Sequence, residues 1–194
     1  MFSSLGSLLL KNKRITKKNL LKRIFFQLSV CIVISFIATI YLRNKIYINN
    51  SPSVPVGFYL KKDQDIYFKN NVVFFKVPDN IRRFLKELNL IKEENKYILK
   101  KIGGVEGDHI IIKDKKLYIN DIFIYEVIEH TFNGVPLNPI ENLDYVLKEN
   151  EYFLIGDLKE SYDSRYFGVV QKEQLEGKGK LLLSTHREDK TNEK

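Results

Sequence analysis

The sequence predicts a mainly β protein: an antiparallel β domain carried on a single N-terminal membrane helix. Three observations support this expectation. Residues 24–42 (IFFQLSVCIVISFIATIYL) form an uncharged apolar run. After residue 50 the apolar residues recur mostly with period two, the alternation of a half-buried strand. Within that region one segment, residues 79–90, has instead the three- and four-residue spacing of a short inserted helix.

The apolar run has 19 positions, interrupted only by Gln27, Ser29, Ser35 and Thr39. At a rise of about 1.5 Å per residue such a helix just crosses a hydrocarbon core. A cleavable signal peptide has a shorter apolar region closed by a small-residue site, whereas this run ends Tyr41-Leu42-Arg43-Asn44-Lys45. Lys11, Lys13, Arg14, Lys17, Lys18, Lys22 and Arg23 precede it, against Arg43 and Lys45 just after it. The positive-inside rule therefore puts the N-terminus in the cytoplasm and the bulk of the chain outside, in the periplasm or an equivalent space. The expected organisation is a basic cytoplasmic tail (1–23), a transmembrane helix (24–42), an exported domain (43–185) and a polar tail (186–194) of disordered composition.

The net charge of +8 resembles a nucleic-acid signature until it is located. Seven of those charges belong to the N-terminal segment, which has no acidic residue, so the remainder of the chain is close to neutral. A nearly neutral domain is a poor phosphate binder, which argues against nucleic acid as a partner. Cys31, the single cysteine, lies inside the span and cannot form an intrachain disulfide. His109, His130 and His186 are scattered without ligand spacing, so neither a metal nor another cofactor is expected.

In the exported part, Val72 to Val77 is a compact apolar run ending at Pro78, the pattern of a buried strand. In the helical segment Asp79 is the expected cap, and Ile81, Phe84, Leu85 and Leu88 form the apolar stripe. Tyr97–Ile102 is a further strand. His109–Ile112 and Leu117–Ile119 form a hairpin about the charged turn Lys113–Lys116, and Asn120-Asp121 makes a second tight turn before Ile122–Ile128. Glu151–Ile155 and Lys180–Leu183 complete the expected strands. Of the aromatic residues Phe58, Tyr59, Tyr67, Phe68, Phe74 and Phe75, most are expected in the core, with a lipid-facing patch as the alternative.

Three segments combine into a chemical constellation. Asn50-Ser51-Pro52-Ser53-Val54-Pro55-Val56-Gly57-Phe58-Tyr59 follows the span. Proline fixes its own φ and biases the preceding residue towards extended geometry. If the run is extended, the Ser51 and Ser53 hydroxyls share a face. Alone, the segment reads equally well as a Ser/Pro linker. The second segment places Lys100 and Lys101 inside an apolar strand that leads into Gly103-Gly104-Val105-Glu106-Gly107-Asp108. One of the pair is driven towards a desolvated surface, though both faces are apolar and periodicity does not choose between them. Burial lowers a lysine pKa. At the ordinary value only about one amine in a few thousand is neutral at pH 7, so desolvation is what makes a lysine usable as a base. The third is the polar loop Gly156–Gly168, in which Asp163 and Arg165 can pair; a surface salt bridge is the plain alternative.

Taken in order, the serine-x-proline element, the lysine pair entering Gly-Gly-Val-Glu-Gly-Asp, the Lys113–Asn120 hairpin and the SYDSRYFG loop resemble the type I signal peptidases, whose fold is related to that of LexA. Proline two residues after Ser53, the following Gly57-x-Tyr59 and the insert at 79–90 make the chain look most like the conjugative-transfer (TraF-type) branch that matures pilin precursors. The resemblance covers roughly residues 20–184. It implies that Ser53 is the nucleophile and Lys100 the general base. The Ser51 hydroxyl and the Ser53 N–H would form the oxyanion hole, Ser161 would orient the amine, and Asp163 and Arg165 would brace the loop. Two departures stand out: Glu106 replaces a proline common in the family, and the Gly156–Ser161 segment is one residue shorter than in housekeeping enzymes, which leaves Asp157 without an assigned role.

The implied function is a membrane-anchored serine endopeptidase that cleaves signal peptides from exported precursors. Its partners would be a precursor or propilin, the lipid bilayer and proteins of a conjugation apparatus. A housekeeping leader peptidase and a non-catalytic periplasmic module of a secretion apparatus are the rivals. LexA-like autoproteases share the Ser-Lys pair but are cytoplasmic and carry a DNA-binding domain, which the span and the neutral domain disfavour.

Overall fold

The computed structural model describes residues 17–43, 45–88, 91, 97–131 and 134–185. The chain falls into two compact units, one before Lys45 and one from Lys45 onward. The first is helix α1 (Lys17–Arg43), apolar and long enough to cross a membrane and exposed along its length. Two of its hydroxyls are satisfied locally: Ser29 donates to the Phe26 carbonyl and Thr39 to that of Ser35, each at 2.8 Å. Such back-bonding lets polar residues sit in an apolar helix. The described helix includes Lys17 to Arg23, so part of the segment expected as tail is helical. Residues 1–16 and 186–194 lie outside the described residues.

The second unit is built from antiparallel strands: β1 (Ile46–Asn49), β2 (Gly57–Lys62), β3 (Val72–Lys76), β4 (Tyr97–Gly104), β5 (His109–Lys113), β6 (Lys116–Ile119), β7 (Ile122–Glu126), β8 (Leu143–Val146), β9 (Glu151–Ile155), β10 (Val170–Gln171) and β11 (Leu175–Ser184). Helix α2 (Asp79–Glu87) joins β3 to β4, and the short α3 (Ser164–Phe167) follows β9. One sheet has the order β1-β2-β11-β3-β4-β9-β10 and the other β7-β6-β5-β8.

Strand alternation distributes the core. In β3, Val73 and Phe75 pack on one face of the larger sheet with Ile102 and Leu154, while Phe74 packs on the other with Tyr59, Leu99 and Val54. β9 joins two cores, because Tyr152 and Leu154 belong to the first cluster whereas Phe153 is buried with Ile110, Ile112 and Leu117 of the smaller sheet. That double burial accounts for the continuous apolar runs of β3 and β9. The two expected tight turns are present. Asp114 and Lys115 have φ of 50° and 57°, Asn120 and Asp121 of 51° and 64°, the paired left-handed residues of two-residue hairpins. Tyr59, Tyr67, Phe74 and Phe75 are buried, whereas Phe68 is exposed.

The structure corrects several expectations. The N-cap of α2 is Pro78, without a side-chain cap bond; Asp79 sits inside the first turn, where its carboxylate pairs with Arg82. The expected stripe does face inward, with Leu85 buried, but α2 ends at Glu87. β1, β2, β8, β10 and α3 arise where no element was expected. β1 and β2 flank the proline segment, and β8 has no buried residue. β11 starts at Leu175 rather than Lys180, because Gly177 and Gly179, which look like turn residues, let the strand bend and pass its neighbours closely. At Gly177 φ is +107°, and an added Cβ would lie 2.5 Å from the Lys62 carbonyl oxygen. We expect Gly177→Ala to destabilise the domain by about 1–3 kcal/mol, read as a lower urea midpoint with an unchanged slope.

Candidate active site

The segment between β1 and β2 turns instead of running extended: Pro52 and Ser53 lie in a turn. The two hydroxyls nevertheless meet, with Ser51 Oγ 3.1 Å from Ser53 Oγ. The Ser53 N–H points to the same side, 3.4 Å from Ser51 Oγ. Ser53 is buried while Ser51 is exposed. The turn is docked on the loop after β9, because the Asp157 N–H donates to the Ser53 carbonyl at 2.7 Å.

Lys100 sits in the middle of β4, opposite Val73 of β3, and on the face it shares with Ile98 and Ile102. Only 4% of it is exposed. Its Nζ donates to Ser53 Oγ at 2.9 Å and to Ser161 Oγ at 2.5 Å. The Ser161 hydroxyl is itself 3.1 Å from Ser53 Oγ, so one amine and two hydroxyls form a closed triangle. Burial pulls the Lys100 pKa down to about 8, with the Arg165 charge acting in the same direction and Asp163 and Asp157 opposing it. At that value about one amine in ten is neutral at pH 7. The sequence left open which lysine of the pair is desolvated; the structure buries Lys100 and turns Lys101 to an ion pair with Asp157 at 2.5 Å.

Asp163 and Arg165 are both fully buried, which excludes the surface salt bridge. Arg165 Nε and Nη2 each donate to the Asp163 carboxylate at 2.8 Å. The remaining guanidinium hydrogens reach the carbonyls of Lys159 at 2.9 Å and Ser161 at 2.8 Å, among others. Asp163 also accepts from the Gly156 N–H at 2.9 Å and caps α3 through the Arg165 N–H. A buried pair persists only when its remaining hydrogen-bonding positions are filled, and here the fillers are the backbone of the loop that presents Ser161. Asp157, without a role in the sequence reading, ties that loop to Lys101 and to the Ser53 turn.

Two neighbours escaped the sequence reading. Gly156 is one: a Cβ there would lie 2.0 Å from Ser161 Oγ and 3.3 Å from Ser53 Cβ. The other is Asn49, buried at the end of β1. A glycine ending a strand and an asparagine before a turn are the only signals the sequence holds for them.

The constellation opens on a cleft of about 690 Å³ lined by Tyr47, Asn49, Ser53, Tyr97, Lys100 and Ser161 among others. Two strand edges border it. β1 is the terminal strand of its sheet, and residues 97–100 of β4 pair with β3 but lie beyond the register with β9. The arrangement can deprotonate a hydroxyl by a neutral amine in a dry site, with donors beside that hydroxyl to receive developing negative charge.

The model of the family "Signal peptidase, peptidase S26" matches residues 17–183, and the chain belongs to this family. Signal peptidase I V of Bacillus subtilis is 26% identical over 117 residues, which cover 55% of this chain and 61% of that protein. Signal peptidase I of Streptococcus pneumoniae is 27% identical over 128 residues, covering 47% of this chain and 63% of the relative. The chain thus spans about three fifths of the length of these relatives. A crystal structure of a signal peptidase I from Enterococcus faecalis is 20% identical, with a TM-score of 0.35 over 60% of this chain and 98% of that one.

Because the Lys100 pKa is about 8 in the folded state and near 10.5 when unfolded, the unfolded chain binds the extra proton between those values. Stability relative to Lys100→Met should therefore be flat below pH 8 and rise with pH across that window, by roughly 3 kcal/mol in all. Urea unfolding of both proteins at pH 7, 8, 9 and 10 measures the wild-type stability minus that of the variant. A signed difference that stays constant or falls as pH rises from 8 to 10 contradicts the depressed Lys100 pKa.

Proposed function

We propose that this protein is a membrane-anchored serine endopeptidase that removes signal peptides from exported precursors, using Ser53 as nucleophile and Lys100 as general base. The observation that carries the reading is the 2.9 Å contact between a buried lysine amine and a serine hydroxyl. Neutral Lys100 accepts the Ser53 proton as Oγ attacks the scissile carbonyl carbon. The carbonyl oxygen takes up the negative charge facing the Ser53 N–H and the Ser51 hydroxyl. Collapse of this intermediate breaks the C–N bond; the Lys100 ammonium returns its proton to the departing amine, leaving an acyl group on Ser53. Water, deprotonated by the same amine, then releases the acid and restores Ser53. Ser161 holds the amine on line, and the Asp163–Arg165 pair holds Ser161.

The two edges beside the cleft that pair with no further strand support an extended substrate, added between β1 and residues 97–100 of β4. The Tyr47 hydroxyl, which donates to the Tyr97 carbonyl at 3.0 Å, would have to give way to it. The N-terminal helix acts as the anchor in the cytoplasmic membrane, with the basic segment in the cytoplasm and the catalytic domain outside. A tether of this kind raises the effective concentration of a precursor that is itself inserted in the bilayer.

The finer reading is a specialised peptidase that matures pilin precursors of a conjugation or type IV secretion system. Pro55 two residues after Ser53, Gly57-x-Tyr59 and the helix inserted before β4 support it. A general leader peptidase is the second reading, favoured by the two relatives that carry the name signal peptidase I. Co-expression with a propilin and with an unrelated exported precursor, followed by mass spectrometry of the products, separates them. We expect cleavage of the propilin alone by the wild type, loss of cleavage with folding retained in Ser53→Ala and Lys100→Ala, and most activity kept in Lys101→Ala. Equal cleavage of both precursors would favour the general enzyme; activity in Lys100→Ala would overturn the peptidase mechanism.

A further inference from the structure

The turn that carries Ser51 and Ser53 has an unusual shortage of donors. Pro52 and Pro55 have no N–H, so the turn cannot satisfy its own carbonyls by a regular ladder. Carbonyls withdrawn from water, here fully at Val54 and in part at Ser51 and Pro55, need partners from elsewhere. Asn49, the last residue of β1 and only 6% exposed, supplies them. Its Nδ2 donates to the Ser51 carbonyl at 2.8 Å and to those of Val54 and Pro55 at 3.2 Å each. Its Oδ1 accepts the Ser51 N–H at 3.2 Å. An amide has two N–H hydrogens and one acceptor oxygen, so the side chain is used on both ends, with one hydrogen shared between carbonyls. Other supports of the turn act from outside it: the Tyr59 hydroxyl on the Pro55 carbonyl at 2.7 Å, and the Asp157 N–H on that of Ser53. Asn49 is the side chain that fastens the turn's start to its finish.

We propose that Asn49 is a positioning residue: by clamping the Ser51–Pro55 turn it fixes the Ser51 hydroxyl and the Ser53 N–H where they face the oxyanion. The inference rests on the reading of Ser53 as nucleophile. Among the described residues the Asn49 side chain makes no hydrogen bond to Lys100 or Ser161, so its loss disturbs the oxyanion donors and leaves the base in place. Asn49→Asp is the sharp test, because a carboxylate keeps the shape but offers only acceptors to carbonyl oxygens and to a single N–H. Asn49→Ala removes the clamp without adding charge and serves where the aspartate variant fails to fold.

The experiment uses the full chain in detergent micelles and a synthetic peptide spanning a cleaved precursor site, with kcat and KM expressed per folded molecule. Hydrogen exchange of the turn amides is followed in parallel. We expect kcat to fall about 100-fold in Asn49→Asp and about tenfold in Asn49→Ala, with KM within about twofold of wild type. Exchange should accelerate at Ser53 and Val54 in both variants, and at Ser51 in Asn49→Ala, where its N–H loses the acceptor, while β3 and β4 keep their protection. Wild-type kcat per folded molecule in either variant overturns the proposal, as does a loss of kcat with the turn amides still protected. If the wild type cleaves no faster than Ser53→Ala, the peptidase reading falls and the oxyanion role falls with it; if the wild type is active and the variants match it, only the role of Asn49 falls.

Discussion

A lysine amine taken out of water without a carboxylate in contact is the constraint around which the domain is organised. Among the described residues, the hydrogen-bond partners of Lys100 Nζ are two hydroxyls. Hydroxyls satisfy the amine as donor or acceptor in either protonation state, whereas a carboxylate at that distance would lock it in the charged form. Desolvation is the largest influence on its pKa. It follows from placing Lys100 at the centre of a sheet, with β3 on one side and the Ser161 loop above. Lys100 shares its strand face with Ile98 and Ile102, and its amine reaches the polar triangle.

The surrounding charges divide the work. Asp163 and Arg165 neutralise each other in full burial and spend their remaining hydrogen bonds on loop carbonyls. They shape the loop while their fields act on Lys100 in opposite directions, Asp163 raising its pKa and Arg165 lowering it. Lys101 and Asp157 form a second, half-exposed pair that joins β4 to the same loop. The adjacent lysines thus serve opposite ends: one is kept from a carboxylate, and the other is held by one. Backbone economy completes the site, since the glycine at 156 leaves the space that the Ser161 hydroxyl occupies.

Much of this was legible in the sequence, because the signals were local. Asp114-Lys115 and Asn120-Asp121 sit between apolar strands, and both turned out to be paired left-handed turns. The strands around Phe74, Ile110 and Phe153 followed from apolar runs of strand length. Family resemblance pointed to Lys100 where period-two reasoning could not choose, because Leu99 and Lys100 are both buried in a strand covered on two faces. What escaped depends on long-range geometry. β1 and β2 are read only once each has a partner, and β11 contains glycines that local rules assign to a turn. Gly156 and Asn49 matter because of what folds against them, Ser161 and the carbonyls of Val54 and Pro55.

The proposed mechanism requires Lys100 to be available as a neutral amine near physiological pH, and the most direct measurement is its own titration. In protein labelled with ¹³C at lysine Cε, the Lys100 resonance, assigned by its absence in Lys100→Met, should titrate with a midpoint near 8, as the burial at this position requires. A midpoint near 10.5, among the solvent-exposed lysines, would contradict the account.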